Sequence, residues 1–268
     1  MSSIGWMKVA AYQAPLHAIQ SIETALGLIR EQVERCEREG VEILCCPEGV
    51  LGGLADYAPR PADIAIDVQA GGLDAVLAPL ASHRVTTIVG FTEIGAGGRL
   101  YNAAAVFHHG SVAGIYRKLH PAIRRSVYAA GEETPVFTVG ALTFGIVICR
   151  DSTFPEPARR MAAQGATALF IPTNNGLPPS VAGAEVAADA RKSDVARAVE
   201  NGVTVVRADV AGRSGNHESW GSSAVVDRRG AVVAEARPRC PGLVVADIDV
   251  TGRRDGERGD HDPAASCE

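Results

Sequence analysis

Three polar residues stand directly after apolar, strand-like runs: Glu48 after VEILCCP, Lys118 after SVAGIYR, and Cys149 at the end of LTFGIVI. In α/β sheets the carboxyl ends of strands are where loops bring distant side chains onto one ligand. A cysteine, a glutamate and a lysine gathered there have the chemistry for nucleophilic catalysis. A free thiol ionises near pH ~8.5 and is mostly protonated at neutral pH, so it needs a base or a nearby cation. A glutamate can take that proton and later return it to a leaving amine. A lysine can stabilise the oxyanion that develops after attack. Read singly, each residue has a plainer role: a buried strand-end thiol, a solvated loop carboxylate, a surface charge. The three lie far apart in sequence, so only the fold could unite them.

The elements that must position them alternate in type. MKVAAYQA (7–14) reads as a strand, and the amphipathic stretch 18–39 as a helix ended by Gly40. VEILCC (41–46), closed by Pro47, is a buried strand, and 52–70 is irregular and rich in Pro, Gly and Asp. A helix over 73–83 and the strand TTIVGFTEI follow. Residues 100–107 and 111–116 form a hairpin around HHG, and 120–134 is irregular. Strand ALTFGIVIC (141–149), helix PEPARRMAAQG, strand TALFIP, a helix over 182–201 and strand VTVVRADV (203–210) continue the pattern. SSAVVD, AVVAE and LVVADID close the domain as strands. This alternation argues for a mixed α/β sheet covered by helices. Periodicity leaves open whether there are three layers or two sheets packed face to face. One domain is expected over 1–250, with a charged, loosely ordered tail over 251–268.

Composition excludes several classes. Of 268 residues, 46% are hydrophobic and 21% charged, a globular balance. Net charge is −5 with scattered basic residues, so no nucleic-acid or anionic-membrane partner is expected. The N-terminus lacks a basic segment followed by an apolar core, and no apolar run reaches membrane-spanning length. The six cysteines are irregularly spaced, unlike a disulfide framework or zinc site. Adjacent Cys45 and Cys46 would point to opposite faces of a strand. Reduced thiols, a cytoplasmic location, no metal and no cofactor are expected.

Several blocks resemble a known family. GVEILCCPEGVLGG resembles the block of the nitrilase (carbon–nitrogen hydrolase) superfamily that leads through Pro to a catalytic glutamate. GIYRKLHP resembles its catalytic-lysine block, and FGIVICRDSTFPEPAR its nucleophile block. ARAVENGVTVVRAD and WGSSAVVDRRG resemble two later blocks, all five in the family's order. The resemblance implies a four-layer α-β-β-α sandwich of two mixed sheets flanked by helices, and homodimers or larger assemblies packed sandwich on sandwich. It implies Glu48, Lys118 and Cys149 as catalytic residues, aided by a backbone N–H at or just after Cys149. The expected reaction is hydrolysis of a small linear amide or N-carbamoyl compound through a cysteine thioester, with release of ammonia. Nitrile hydrolysis, acyl transfer to an amine or alcohol, and a non-catalytic scaffold role are the alternatives.

One position departs from the family. Many members carry a second glutamate about eight residues after the lysine, where this chain has Ser126; Glu132 and Glu133 are the nearest acids. Either could support Lys118, although a solvated loop is the plainer reading. Glu200, in the Glu-Asn pair, and Asp151 are expected to support the fold near the site. Asn174 and Asn175 in PTNNGLPP, and Arg150 beside the cysteine, are candidate substrate contacts. His217 and Glu218 in AGRSGNHESW are weaker candidates, while His108, His109 and His120 read as loop histidines.

Overall fold

The structure, a computed structural model, describes residues 5–17, 20–181 and 183–251. All of the tail expected over 251–268 except Thr251, and the first residues of the helix expected from Ala18, lie outside the described residues. Strand β1 (Trp6–Pro15) leads to α1 (Ile22–Glu39) and β2 (Ile43–Cys45). After β3 (Ala65–Asp67) come α2 (Gly72–Leu77), β4 (Thr86–Ile94), β5 (Leu100–His108) and β6 (Ser111–Arg117). The second half holds β7 (Val136–Val139), β8 (Leu142–Ile146), α3 (Pro155–Ala163), β9 (Ala168–Pro172), α4 (Gly183–Asn201) and β10 (Thr204–Ala208). It closes with β11 (Val210–Ser214), β12 (His217–Ser219), β13 (Ala224–Val226), β14 (Val232–Glu235) and β15 (Gly242–Asp249).

These strands form two mixed sheets. One runs β12-β11-β1-β2-β4-β5-β6, with β15 also on β1 and β3 on β4; the other runs β14-β13-β10-β9-β8-β7. Strand alternation decides what lies on each face. Val9, Ala11, Ile43, Cys45 and Ile88 join Phe144, Ile146, Phe170 and Val205 in one core. Their neighbours Ala10, Tyr12, Leu44, Cys46 and Val89 pack instead against Ala25, Ile29 and Val33 of α1 and Leu73 and Leu77 of α2. Met161 of α3 and Ala198 of α4 complete the first core on the side of the second sheet. The layers are therefore helix, sheet, sheet, helix. Cys45 and Cys46 do fall on opposite faces, as alternation requires.

Local chemistry sets the ends of α1. The Ser21 side chain accepts from Thr24 N, and Gly40 in the left-handed region closes the helix with its N–H on Cys36 and Glu37. Three features differ from the sequence expectation. Residues 136–139 form a strand antiparallel to β8. The expected single strand over 203–210 breaks at Asp209, where the chain leaves β10 of one sheet and enters β11 of the other. AGRSGNHESW is not a plain loop, because β11 pairs with β12 as a hairpin. Each difference depends on a partner strand remote in sequence, which local pattern does not carry.

Candidate active site

Strands β2 and β6 of one sheet and β8, β9 and β10 of the other end where the two sheets meet, and their following residues converge. Glu48 sits in the turn after β2, with its N–H on Thr173 O beyond β9 (3.3 Å). Gly90 of β4 makes room for that turn, since a Cβ there would lie 2.9 Å from Glu48 Cα and 2.7 Å from Gly49 N. Lys118 directly follows β6 and is held by its N–H on Asn102 O (2.8 Å). Cys149 follows the extended residues 147–148 and has φ 45°, a left-handed conformation uncommon outside glycine. Such a sharp strand-to-helix turn presents a nucleophile at its apex.

The side chains are closely engaged. Lys118 Nζ donates to Glu48 Oε1 at 2.6 Å, and both groups are buried. Asn102 Nδ2 donates to the same oxygen at 2.7 Å. The other oxygen, Oε2, accepts from Asn174 N at 3.0 Å. Burial alone would lower the Lys118 pKa, but the Glu48 carboxylate and the Cys149 side chain outweigh it and hold the ammonium above its usual range. The Cys149 thiol is pushed up to about 12 by burial and then by the Glu48 charge, with Lys118 and Arg207 opposing. At rest Cys149 is therefore a neutral thiol next to an ion pair. Its Sγ lies 3.9 Å from Asn175 Oδ1.

A second carboxylate fastens the lysine to the cysteine. Fully buried Asp151 accepts from Tyr116 OH (2.7 Å), His120 N (2.8 Å), Leu119 N (3.3 Å) and Ile148 N (3.3 Å). His120 Nδ1 adds a contact at 3.0 Å, and its ring stacks on Phe154. Those groups flank Lys118 on one side and Cys149 on the other.

The profile described as carbon-nitrogen hydrolase matches residues 8–255. The chain belongs to this family. Among relatives of this carbon-nitrogen hydrolase, a nitrilase of Pyrococcus abyssi is 28% identical over 222 residues, covering 81% of this chain and 80% of the relative. An (R)-stereoselective amidase of Pseudomonas sp. is 29% identical over 233 residues, covering 85% and 81%. A solved amidase of Nesterenkonia sp. AN1, carrying acrylamide added at its active-site cysteine, superposes with a TM-score of 0.74 at 25% identity. That match covers 93% of this chain and 97% of the other. The four-layer fold of the hydrolase is the fold of such neighbours.

Other sequence candidates take different places. Glu132 and Glu133 are exposed and line a surface pocket with Glu93 and Arg117, so neither meets Lys118. The reason is strand parity: Arg117 and Lys118 are consecutive and point to opposite faces. At Ser126 the hydroxyl bonds both oxygens of Asp56 (3.0 Å each), so the acid at that place comes from the 52–70 loop. The Arg150 side chain is exposed and donates to Ala122 O (3.2 Å) in place of reaching into the site. Asn174 is spent on Glu48, through its N–H and through Nδ2 on Glu48 O (3.4 Å). Glu200 is exposed and pairs with Arg197 (2.9 Å), which reaches Ser152 O beyond Cys149 (3.5 Å). The His217 ring lies tilted against Tyr57, whose phenol is raised by burial and by Glu48, Asp56 and Cys149.

Sequence reasoning missed Asn102, Asp209, Ser222 and Arg207. Arg207 is fully buried, bound to Asp194, Thr173 and Ser152. A charged residue inside the apolar run VTVVRAD was a signal that it needed a buried partner. Among the described residues no group of three or more His, Cys, Asp or Glu side chains could hold a metal ion.

Proposed function

We propose that the chain is an amidase-type hydrolase that cleaves the non-peptide carbon–nitrogen bond of a small linear amide or N-carbamoyl compound. Cys149 attacks the carbonyl carbon while its proton passes to Glu48. The tetrahedral oxyanion is held by Lys118 and the N–H of Arg150. Collapse breaks the C–N bond as Glu48 returns the proton to nitrogen, and ammonia leaves with a thioester on Cys149. Water, activated by Glu48, then releases the acid and restores the thiol. Oε2 is the proton carrier, because Oε1 already serves Lys118 and Asn102.

The observation that carries this reading is the buried Glu48–Lys118 pair acting on a cysteine at a positive-φ turn. Burying two charges costs several kcal/mol per ion, and removing one partner costs about 3–5 kcal/mol, so a fold has little reason to keep such a pair for stability. The relatives' names support amide chemistry, and self-association and a cytoplasmic site belong to the same proposal. Among the described residues no helix is long and apolar enough to cross a membrane.

The test is ammonia release from a panel of amides, carbamoyl amino acids and nitriles. Cys149→Ala is expected to abolish release while leaving circular dichroism unchanged. Normal turnover by that variant would overturn the assignment.

A further inference from the structure

The Asn175 side chain contacts Cys149 Sγ directly through Oδ1, and its orientation is fixed by chemistry behind it. Asp209, where the chain passes between sheets, is fully buried and its carboxylate receives four hydrogen bonds. Oδ1 accepts from Asn175 N (3.0 Å) and Val210 N (2.8 Å). Oδ2 accepts from Asn175 Nδ2 (3.0 Å) and the Ser222 hydroxyl (2.6 Å). A carboxylate only accepts, so the amide nitrogen of Asn175 must face it. A flipped amide would set its oxygen against Asp209 Oδ2 and within 3.5 Å of Ser222 Oγ. The Asn175 oxygen is thereby locked toward the nucleophile, 3.9 Å from Sγ.

The surroundings of the thiol are consequently polarised. Lys118 offers a cationic donor, whereas Asn175 Oδ1 and Glu48 Oε2 offer acceptors. A carbonyl carbon must come to about 3–3.5 Å from sulfur before attack. Its substituents then lie within reach of both kinds of group. An amide matches that pattern at both ends, with its oxygen toward the donor and its N–H toward an acceptor.

Resting on the reaction proposed above, we infer that Asn175, oriented by Asp209 and Ser222, accepts a hydrogen bond from the scissile nitrogen and selects substrates bearing N–H there. Primary amides and terminal ureido groups satisfy it. Esters and nitriles have no such hydrogen and leave the half-buried acceptor unmatched, a loss that binding sites convert into discrimination. In the free enzyme the thiol hydrogen occupies the same acceptor. When that proton moves to Glu48, the oxygen becomes available to the substrate N–H.

The experiment compares the primary amide and the methyl ester of one acid, chosen as the acid whose amide releases most ammonia in the panel above. Values of kcat/KM are measured for the unaltered chain, Asn175→Ala, Ser222→Ala and Cys149→Ala. Asn175→Ala is expected to lower the amide-to-ester ratio about tenfold or more, and Ser222→Ala to lower it about threefold. A merely structural role would reduce both rates together and leave the ratio alone. A ratio changed less than twofold in Asn175→Ala overturns the inference; if circular dichroism shows that variant unfolded, the same threshold applied to Ser222→Ala decides. Cys149→Ala separates the two levels. If it is inactive while the ratio stays fixed, only the role of Asn175 falls; if it is active on both substrates, the thioester reading falls first.

Discussion

At Cys149 the carboxylate proposed to take the proton also makes the thiol harder to ionise. Burial and the Glu48 charge hold the thiol well above its ordinary range, so it rests protonated at neutral pH. In the proposed reaction, attack therefore requires proton transfer to Glu48 as the carbonyl arrives, and a standing thiolate is not the reactive form. This separates two measurements that are usually expected to move together. Glu48→Gln removes the negative charge that raises the thiol and leaves the opposing Lys118 and Arg207 charges in place, so the thiol pKa falls. Alkylation of Cys149 by iodoacetamide at pH 8 is expected to speed up severalfold in that variant, while ammonia release drops by at least a hundredfold for want of the base. In the unaltered chain the labelling rate should climb through pH 10 with no plateau near 8.5. Peptide-resolved mass spectrometry distinguishes Cys149 from the exposed Cys240. Slower labelling in Glu48→Gln would show that the carboxylate does not set the thiol.

The turn after β6 and the turn after β8 belong to different sheets, yet their alignment determines whether Lys118 meets Cys149. Asp151 supplies that alignment through donors at 116, 119, 120 and 148. Asp151→Asn keeps the shape but replaces one acceptor oxygen with an amide nitrogen facing N–H donors. A misplacement of about 1 Å costs on the order of a hundredfold in rate. The variant is expected to lose kcat by about that factor with a smaller change in KM, checked by steady-state kinetics on the best amide; an unchanged kcat would show that the turns hold themselves. What the sequence made legible follows the same division. Strands rich in β-branched residues and helices with cap residues, such as β4 and α1, were readable because their signals are local. The proposed nucleophile, base and lysine stood out because each ends an apolar run within a recognisable block, and the fold brings Glu48, Lys118 and Cys149 together. The Asp151 clamp, the Asn102 bond to Glu48 and the Asp209–Ser222 support of Asn175 join segments remote in sequence, and no local pattern announces them. Glu132 looked close to Lys118 along the chain, but the parity of β6 put it on the other face.

In the whole molecule the two outer helical layers are unequal. α1 presents mainly charged residues outward, including Arg30, Glu34, Arg35 and Glu39. On the opposite side, Val199 of α4 is 54% exposed, and Val232 and Val233 of β14 are 42% and 51% exposed. The turn that leads into β14 packs closely on α4, since a Cβ at Gly230 would lie 2.9 Å from Val199 Cγ2. Full burial of a valine contributes about 1.5–3 kcal/mol, so Val199 exposed beside the edge of β14 favours a partner surface. Isologous pairing about a two-fold axis would let each copy cover the other's patch, sandwich against sandwich. A glutamate placed there would appear twice in such an interface, near its own symmetry mate and away from water, so its cost is doubled. Sedimentation at micromolar concentration is expected to give at least a dimer for the unaltered chain and a monomer for Val199→Glu. Circular dichroism should match in both, because position 199 already faces solvent in the single chain. A monomeric unaltered chain, or a variant that stays assembled, would remove this face from the interface.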